Sequence, residues 1–152
     1  MKSINTIFIG ADHRGFKLKE RIIKFLRDRK LLVIDVGAFN DAPCDYPLIV
    51  FKLGKNVAAS TRNRGILICK TGIGDSIAAN KVKGVRAALC YNQKAARLSR
   101  KHNDANVLVL GSDFVKEKAA RKIINIWLKT EFQGGRHLRR VRQIKEFERK
   151  VK

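Results

Sequence analysis

The chain has 152 residues, 45% of them hydrophobic, which is enough for one domain around a single core and argues against disorder. Thirty-four basic residues against thirteen acidic ones give a net charge of +21, which attracts polyanions, nucleic acid and anionic metabolites but sets no fold. The longest apolar runs, such as Pro47 to Phe51 and Val107 to Leu110, are far too short to cross a bilayer, and Met1 to Thr6 lacks the features of a signal peptide, so a cytoplasmic protein with no membrane partner is expected.

Strand and helix patterns alternate along the chain. Thr6 to Gly10 is a short apolar run that ends in a polar turn, Asp12-His13-Arg14-Gly15. Residues 16–29 follow as a predicted helix, with Leu18, Ile22, Phe25 and Leu26 at helical spacing. Leu31 to Val36 is a second strand, closed by Gly37. A loop carrying Pro43, Asp45, Tyr46 and Pro47 leads to a helix over 48–61. Gly65 to Cys69 is the third strand, and a helix over about 75–81 follows its glycine-bearing loop. Val85 to Cys90 is a fourth strand. Asn92 is placed to cap a helix that runs to Arg100. Asn106 to Leu110 is a fifth strand. Residues 114–131 make a long amphipathic helix with Ala120, Ile123, Ile124, Trp127 and Leu128 on its apolar side. Gly134-Gly135 ends it, and a basic helix runs from about Leu138 to the end.

Five short apolar strands, each followed by a helix, predict an α/β fold. The expected architecture is a single-domain, Rossmann-like three-layer sandwich over 1–152, with a five-stranded parallel sheet and helices on both faces. The last helix is too charged for a core. Val141, Ile144 and Phe147 give it one narrow apolar stripe, which can dock on its own domain or on a second subunit.

Three cysteines, Cys44, Cys69 and Cys90, are scattered, odd in number and without metal-ligand spacing, so neither a zinc site nor a disulfide framework is expected. Cys69 stands apart. It closes a strand and opens a strand-to-helix loop, at the edge where open α/β sheets bind ligands. A cysteine there can be a small buried hydrophobe. The loop favours a site: helix N–H groups are free for an anion and could hold an oxyanion. A helix N-terminus and nearby cations should also lower the thiol pKa. The loop fits neither the Walker pattern nor the dinucleotide fingerprint.

Asp12 and His13 leave strand one at the same edge. His102 and Asn103 precede strand five and so belong to the opposite edge within one chain, unless a second subunit supplies them. The three histidines all sit in polar clusters, where proton transfer and plain solvation are both open to them. Arg136 and Arg140 share a helix face if the helix begins at the glycines, and two guanidinium forks there suit phosphate.

With these residues assembled, the chain resembles the type B ribose-5-phosphate isomerases, in the family shared with galactose-6-phosphate isomerase subunits. The matching pieces include Gly10-Ala11-Asp12-His13-Arg14-Gly15-Phe16, Asp45-Tyr46-Pro47, Gly65-Ile66-Leu67-Ile68-Cys69 and Thr71-Gly72-Ile73-Gly74. Ser76 to Lys81, Leu98 to Leu108 and Gly134-Gly135-Arg136-His137 continue the match in family order. The resemblance implies an aldose–ketose isomerisation without metal or other cofactor, and a phosphorylated sugar as substrate. It implies Cys69 as the base and the Lys70, Thr71, Gly72, Ile73 and Gly74 backbone as the oxyanion cradle. His102, helped by Thr71, would open the ring. Asp12 and Asn103 would contact the sugar, and Tyr46 would line the pocket. His13, Arg136 and Arg140 would lie on the phosphate side. It also implies a homodimer or dimer of dimers with sites shared between subunits.

Two residues depart from the family pattern. Lys70 replaces a usual glycine, and a left-handed backbone there would cost a lysine roughly 1 kcal/mol or more. Its ammonium could instead lower the Cys69 pKa or meet substrate. Asp75 replaces a usual apolar residue, and could cap the next helix or repel an anion. Two other readings stay open on these residues: an isomerase of allose- or galactose-6-phosphate, and a non-catalytic homologue binding polyanions. No nucleic-acid-binding module is recognisable, so nucleic acid is not the expected partner despite the +21 charge.

Overall fold

The computed structural model describes residues 4–151. Its elements run β1 (Ile7–Ala11), α1 (Phe16–Arg27), β2 (Val33–Asp35), α2 (Tyr46–Ala58), β3 (Arg64–Cys69) and α3 (Ile73–Ala79). They continue with β4 (Ala87–Leu89), α4 (Gln93–Asn103), β5 (Val107–Gly111), α5 (Glu117–Lys129) and α6 (Arg136–Lys150). Among the described residues one sheet has the order β2-β1-β3-β5-β4, with every pairing parallel. The expected α/β sandwich is what forms, with shifts at several element ends.

Alternation along each strand divides the core in two. Ile7, Ile9, Ile66, Ile68, Leu108 and Leu110 face α1, α4 and α5, and Trp127 of α5 is fully buried there. Phe8, Leu67, Val107 and Val109 point the other way, against Val50, Leu53 and Val57 of α2 and Ala78 and Ala79 of α3. Cys69 has the parity of Leu67, so it ends β3 on the α2/α3 side. From β1 the chain goes out to β2 and returns across to β3, and it changes face on the way. The crevice of this sheet therefore opens at the C-terminal ends of β1 and β3.

Close approach of backbone to backbone at this crevice depends on Gly15. A Cβ there would lie 2.0 Å from the Ile68 carbonyl oxygen. We expect Gly15→Ala to lower stability by roughly 1–3 kcal/mol, because α1 and the end of β3 must part. A fall in the urea midpoint at unchanged m-value is the check; an unchanged midpoint would contradict it.

The edge strand β2 is held by a buried ion pair. Lys19 of α1 is 0% exposed, and its Nζ lies 2.7 and 2.6 Å from the two Asp35 carboxylate oxygens. The ammonium also donates to the Ala38 carbonyl at 2.6 Å and stands 5.4 Å from the ring centres of both Phe16 and Phe39. Asp35 further accepts the Gly37 N–H at 2.9 Å. The acidic residue at the end of strand two thus serves the scaffold.

Candidate active site

Cys69 is 6% exposed at the end of β3, and its Sγ accepts the Gly72 N–H at 3.1 Å. Gly72 occupies the N-cap of α3 with φ +82°, a left-handed conformation that favours glycine. This corrects two expectations. The left-handed position of the loop is 72 and not 70, so Lys70 is exposed and carries no such backbone strain. And α3 begins at Ile73, so Asp75 is its third residue, inside the first turn, and not a cap.

The rest of the loop is braced from several sides. Thr71 accepts the Ile73 N–H on Oγ1 at 3.3 Å, and its carbonyl accepts the Tyr91 hydroxyl at 3.1 Å. The Tyr46 phenol, at the start of α2, packs so tightly on Gly74 that a Cβ there would lie 2.5 Å from its oxygen. Gly111, at the end of β5, lets the Thr71 carbonyl come within 2.4 Å of where its own Cβ would stand. Because α3 starts here, its first N–H groups lie beyond the reach of helical carbonyls. Asp12 and His13 stand next door on the exit of β1. One Asp12 oxygen accepts the Arg14 and Gly15 N–H groups, both at 2.9 Å, which pins the start of α1. His13 Nδ1 accepts the Cys44 N–H at 3.3 Å and so ties the loop before α2 to the exit of β1.

The electrostatics reverse the expectation for the thiol. Burial, then the adjacent Asp75 carboxylate, push Cys69 up to about 12, and the Gly72 N–H only partly opposes them. The helix start does act in the expected direction, but it is outweighed. Lys70 does not figure among the groups that shift it. Asp75 is in turn pushed up to about 7 by burial, with Asp12 adding to the rise and the Cys69 thiol opposing it.

His102, Asn103, Arg136 and Arg140 form a second group. His102 and Asn103 end α4, beside Asp104, which is ion-paired at 3.0 Å to Arg86 at the entrance to β4. They therefore lie at the N-terminal edge of the sheet. The six-residue β3 alone separates the edges by roughly 16–20 Å. Within one chain, Cys69 and His102 do not meet, as the sequence predicts. α6 does begin at Arg136, directly after the glycines, so Arg136 and Arg140 lie one turn apart and both are exposed. His137 between them is buried and stacks on His102, with ring centres 4.2 Å apart and planes 10° apart. Desolvation, then His102, Arg136 and Arg140, hold the His137 imidazole below its usual range.

Sequence reasoning named the three histidine clusters but gave His137 no role. It also passed over Tyr91 and its ring partner Phe114, at 5.0 Å, which wall the Thr71 side of the loop. Their signal was position: both follow strand ends at the ligand-binding edge. A cavity of about 460 Å³ lies elsewhere, lined by Arg64, Arg86, Asp104, Lys145 and others at the opposite edge. It is basic, but it holds none of the proton-transfer groups named above. Among the described residues no group of three or more His, Cys, Asp or Glu side chains is placed to hold a metal ion, and no helix is long and apolar enough to cross a membrane.

Comparison with known proteins shows the family and the fold. A model of the ribose/galactose isomerase family matches residues 7–144. The Escherichia coli (strain K12) protein named ribose-5-phosphate isomerase B is 44% identical over 144 residues, covering 95% of this chain and 97% of that one. A probable ribose-5-phosphate isomerase B of Mycoplasma pneumoniae is 45% identical over 150 residues, covering 98% and 99%. Among solved structures, ribose-5-phosphate isomerase B of Clostridium thermocellum superposes with a TM-score of 0.94 at 49% identity, covering 97% of this chain and 100% of its own. The Mycoplasma genitalium enzyme, solved with bound ribulose-5-phosphate, gives 0.93 at 44% identity, covering 96% and 97%.

Proposed function

The chain belongs to the ribose/galactose isomerase family, and we propose that it interconverts ribose 5-phosphate and ribulose 5-phosphate through an enediolate. The observation that carries this reading is the Cys69 loop: a buried thiol next to an N–H-bearing turn at the switch point of the sheet. The relative bound to ribulose-5-phosphate has nearly the same fold.

In this reading His102, with Thr71, moves the proton that opens the sugar ring. Cys69 takes the proton from C2. The C–H electron pair becomes the C1–C2 double bond, and O1 gains the charge. The Lys70 to Gly74 backbone holds that oxyanion with donors fixed in advance of the reaction, which is commonly the largest catalytic term. Return of the carbon-bound proton to C1, with a proton passing from O2 to O1, gives the ketose. Asp12 and Asn103 hold sugar hydroxyls, Tyr46 walls the pocket, and His13, Arg136 and Arg140 meet the phosphate. No metal or cofactor takes part, and the whole chain, 1–152, acts as one cytoplasmic sugar-phosphate isomerase domain.

Two half-sites at opposite edges require two copies. We therefore propose a homodimer, or a dimer of dimers, in which the His102 group of one protomer faces the Cys69 loop of its partner. Exposed apolar side chains support it. Ile73 and Ile77 stand one turn apart on α3 and are exposed, as are Tyr91 and Phe114 after β4 and β5. On α6 the domain itself buries only His137 and Val141, and leaves Ile144 52% and Phe147 68% exposed.

Mixing two inactive variants tests function and assembly together. Cys69→Ala and His102→Ala, co-refolded in equal amounts, should regain about a quarter of wild-type turnover on ribose 5-phosphate, because half the dimers are mixed and each has one intact site. No recovery from well-folded mixed dimers would refute the shared site. Wild-type kcat/KM lower for ribose 5-phosphate than for allose- or galactose-6-phosphate would refute the five-carbon assignment.

A further inference from the structure

The Cys69 loop contains a buried acid that the reading above leaves idle. Asp75 is 1% exposed in the first turn of α3, and its Oδ1 has no hydrogen-bond partner. Its carboxylate stands close enough to the Cys69 thiol that each group shifts the other's ionisation. Asp12 faces the pair from β1, and the Tyr46 phenol of α2 packs on the neighbouring Gly74. A carboxylate buried this way is costly unless something uses it. Asp75 is the more deeply buried of the two.

We propose that Cys69 and Asp75 act as one proton-sharing pair, in which the Asp75 carboxylate accepts the thiol proton and the resulting thiolate takes the proton from the sugar carbon. The inference rests on Cys69 being the base. It answers a difficulty of that reading: a thiol pushed up to about 12 is protonated at neutral pH. A carboxylate pushed up to about 7 is a base matched to that pH.

The steps balance. The thiol S–H bond breaks, its proton goes to Asp75, and its electron pair stays on sulfur, held by the Gly72 N–H. The thiolate then bonds the C2 proton, and the negative charge passes to O1. Sulfur later returns that proton to C1 and recovers its own from Asp75. Between them the pair holds one negative charge before the C2 proton moves, so no second charge is buried beside Asp12. Asp75 acts through Cys69 and is a positioning residue.

The test is the pH profile of kcat/KM on ribose 5-phosphate for wild type, Asp75→Asn and Asp75→Glu, from about pH 5.5 to about 10. Wild type should rise to a plateau with an apparent pKa near 7, as the pair titrates together. In Asp75→Asn the limb should move up by about two units or more, with kcat at pH 7 lowered by about tenfold or more and KM within about threefold. Asp75→Glu should keep the wild-type limb. An unmoved limb in Asp75→Asn, or a loss equal at every pH, would overturn the proposal.

Stability gives an independent readout. The folded pKa of Asp75 lies above its unfolded value, so the folded chain holds the proton more tightly between about pH 4 and about pH 7. Stability is lost as pH rises through that window. Asp75→Asn should therefore melt at or above wild type at about pH 8, and a lower Tm would make Asp75 a structural residue and end the proposal. If wild type fails to isomerise ribose 5-phosphate, the functional reading fails, and the pair is judged by thiolate absorbance, taken as the difference from Cys69→Ala. That thiolate should appear about one pH unit or more lower in Asp75→Asn than in wild type; identical titrations would show that the two groups are not coupled.

Discussion

Cys69→Ala lowers kcat on ribose 5-phosphate by about a thousandfold or more, with KM changed little. The size follows from removing the group that carries the C2 proton, since proton-transfer groups contribute about 10²–10⁴-fold. The scaffold should survive. Sγ accepts one hydrogen bond, from Gly72, in a loop that Tyr46, Tyr91 and Gly111 brace separately. The lost packing of one sulfur costs about 1 kcal/mol. Steady-state kinetics beside a melting curve is the measurement. A variant that folds like wild type and turns over within tenfold of it would remove Cys69 from the role of base. Cys69→Ser should also fail, because a hydroxyl is far harder to ionise than a thiol and the Asp75 carboxylate cannot make up the difference.

Lys19→Ala is expected to cost about 3–5 kcal/mol, the range for breaking a buried ion pair by removing one partner. The ammonium is wholly buried and satisfies both Asp35 oxygens and the Ala38 carbonyl. Its loss leaves a carboxylate only 19% exposed, with the Gly37 N–H as its remaining donor. It also frees the chain after β2, which leads to Cys44 and hence to the His13 contact. Urea unfolding should show the fall. Lys19→Met combined with Asp35→Leu should recover most of it, because an apolar pair of similar volume carries no desolvation cost. A Lys19→Ala loss under about 1 kcal/mol would mean that water reaches Asp35 and screens it.

Much of the fold is readable in the residues because it depends on local patterns. The five strands are apolar runs closed by polar turns. Asn92 caps α4 as its type and place suggest, with its side chain accepting the Ala95 N–H at 2.8 Å. Element ends are less readable. α3 starts before its first charged residue because Gly72 turns the chain there, and α6 starts at Arg136 because Gly134 and Gly135, at φ +68° and +54°, have already broken the path. The role of Lys19 is invisible in sequence. Nothing about a lysine on an amphipathic helix shows that an aspartate sixteen residues on will meet it in the core.

The candidate site divides in the same way. Residue types and spacing alone place Asp12, His13 and the Cys69 loop on one edge of the sheet, and His102 and Asn103 on the other, because a parallel α/β sheet leaves no choice about which end of a strand faces which edge. They also place Arg136 and Arg140 on one helix face once the helix start is known. The ionisation of Cys69 was beyond their reach. Sequence shows a helix start and a neighbouring lysine, both of which favour a thiolate. Only the packed structure shows that Lys70 turns to solvent while Asp75 and the apolar core close around the sulfur, and desolvation then outweighs one N–H bond. Pattern determines which edge a side chain reaches; three-dimensional packing determines how much water it keeps, and that sets its charge.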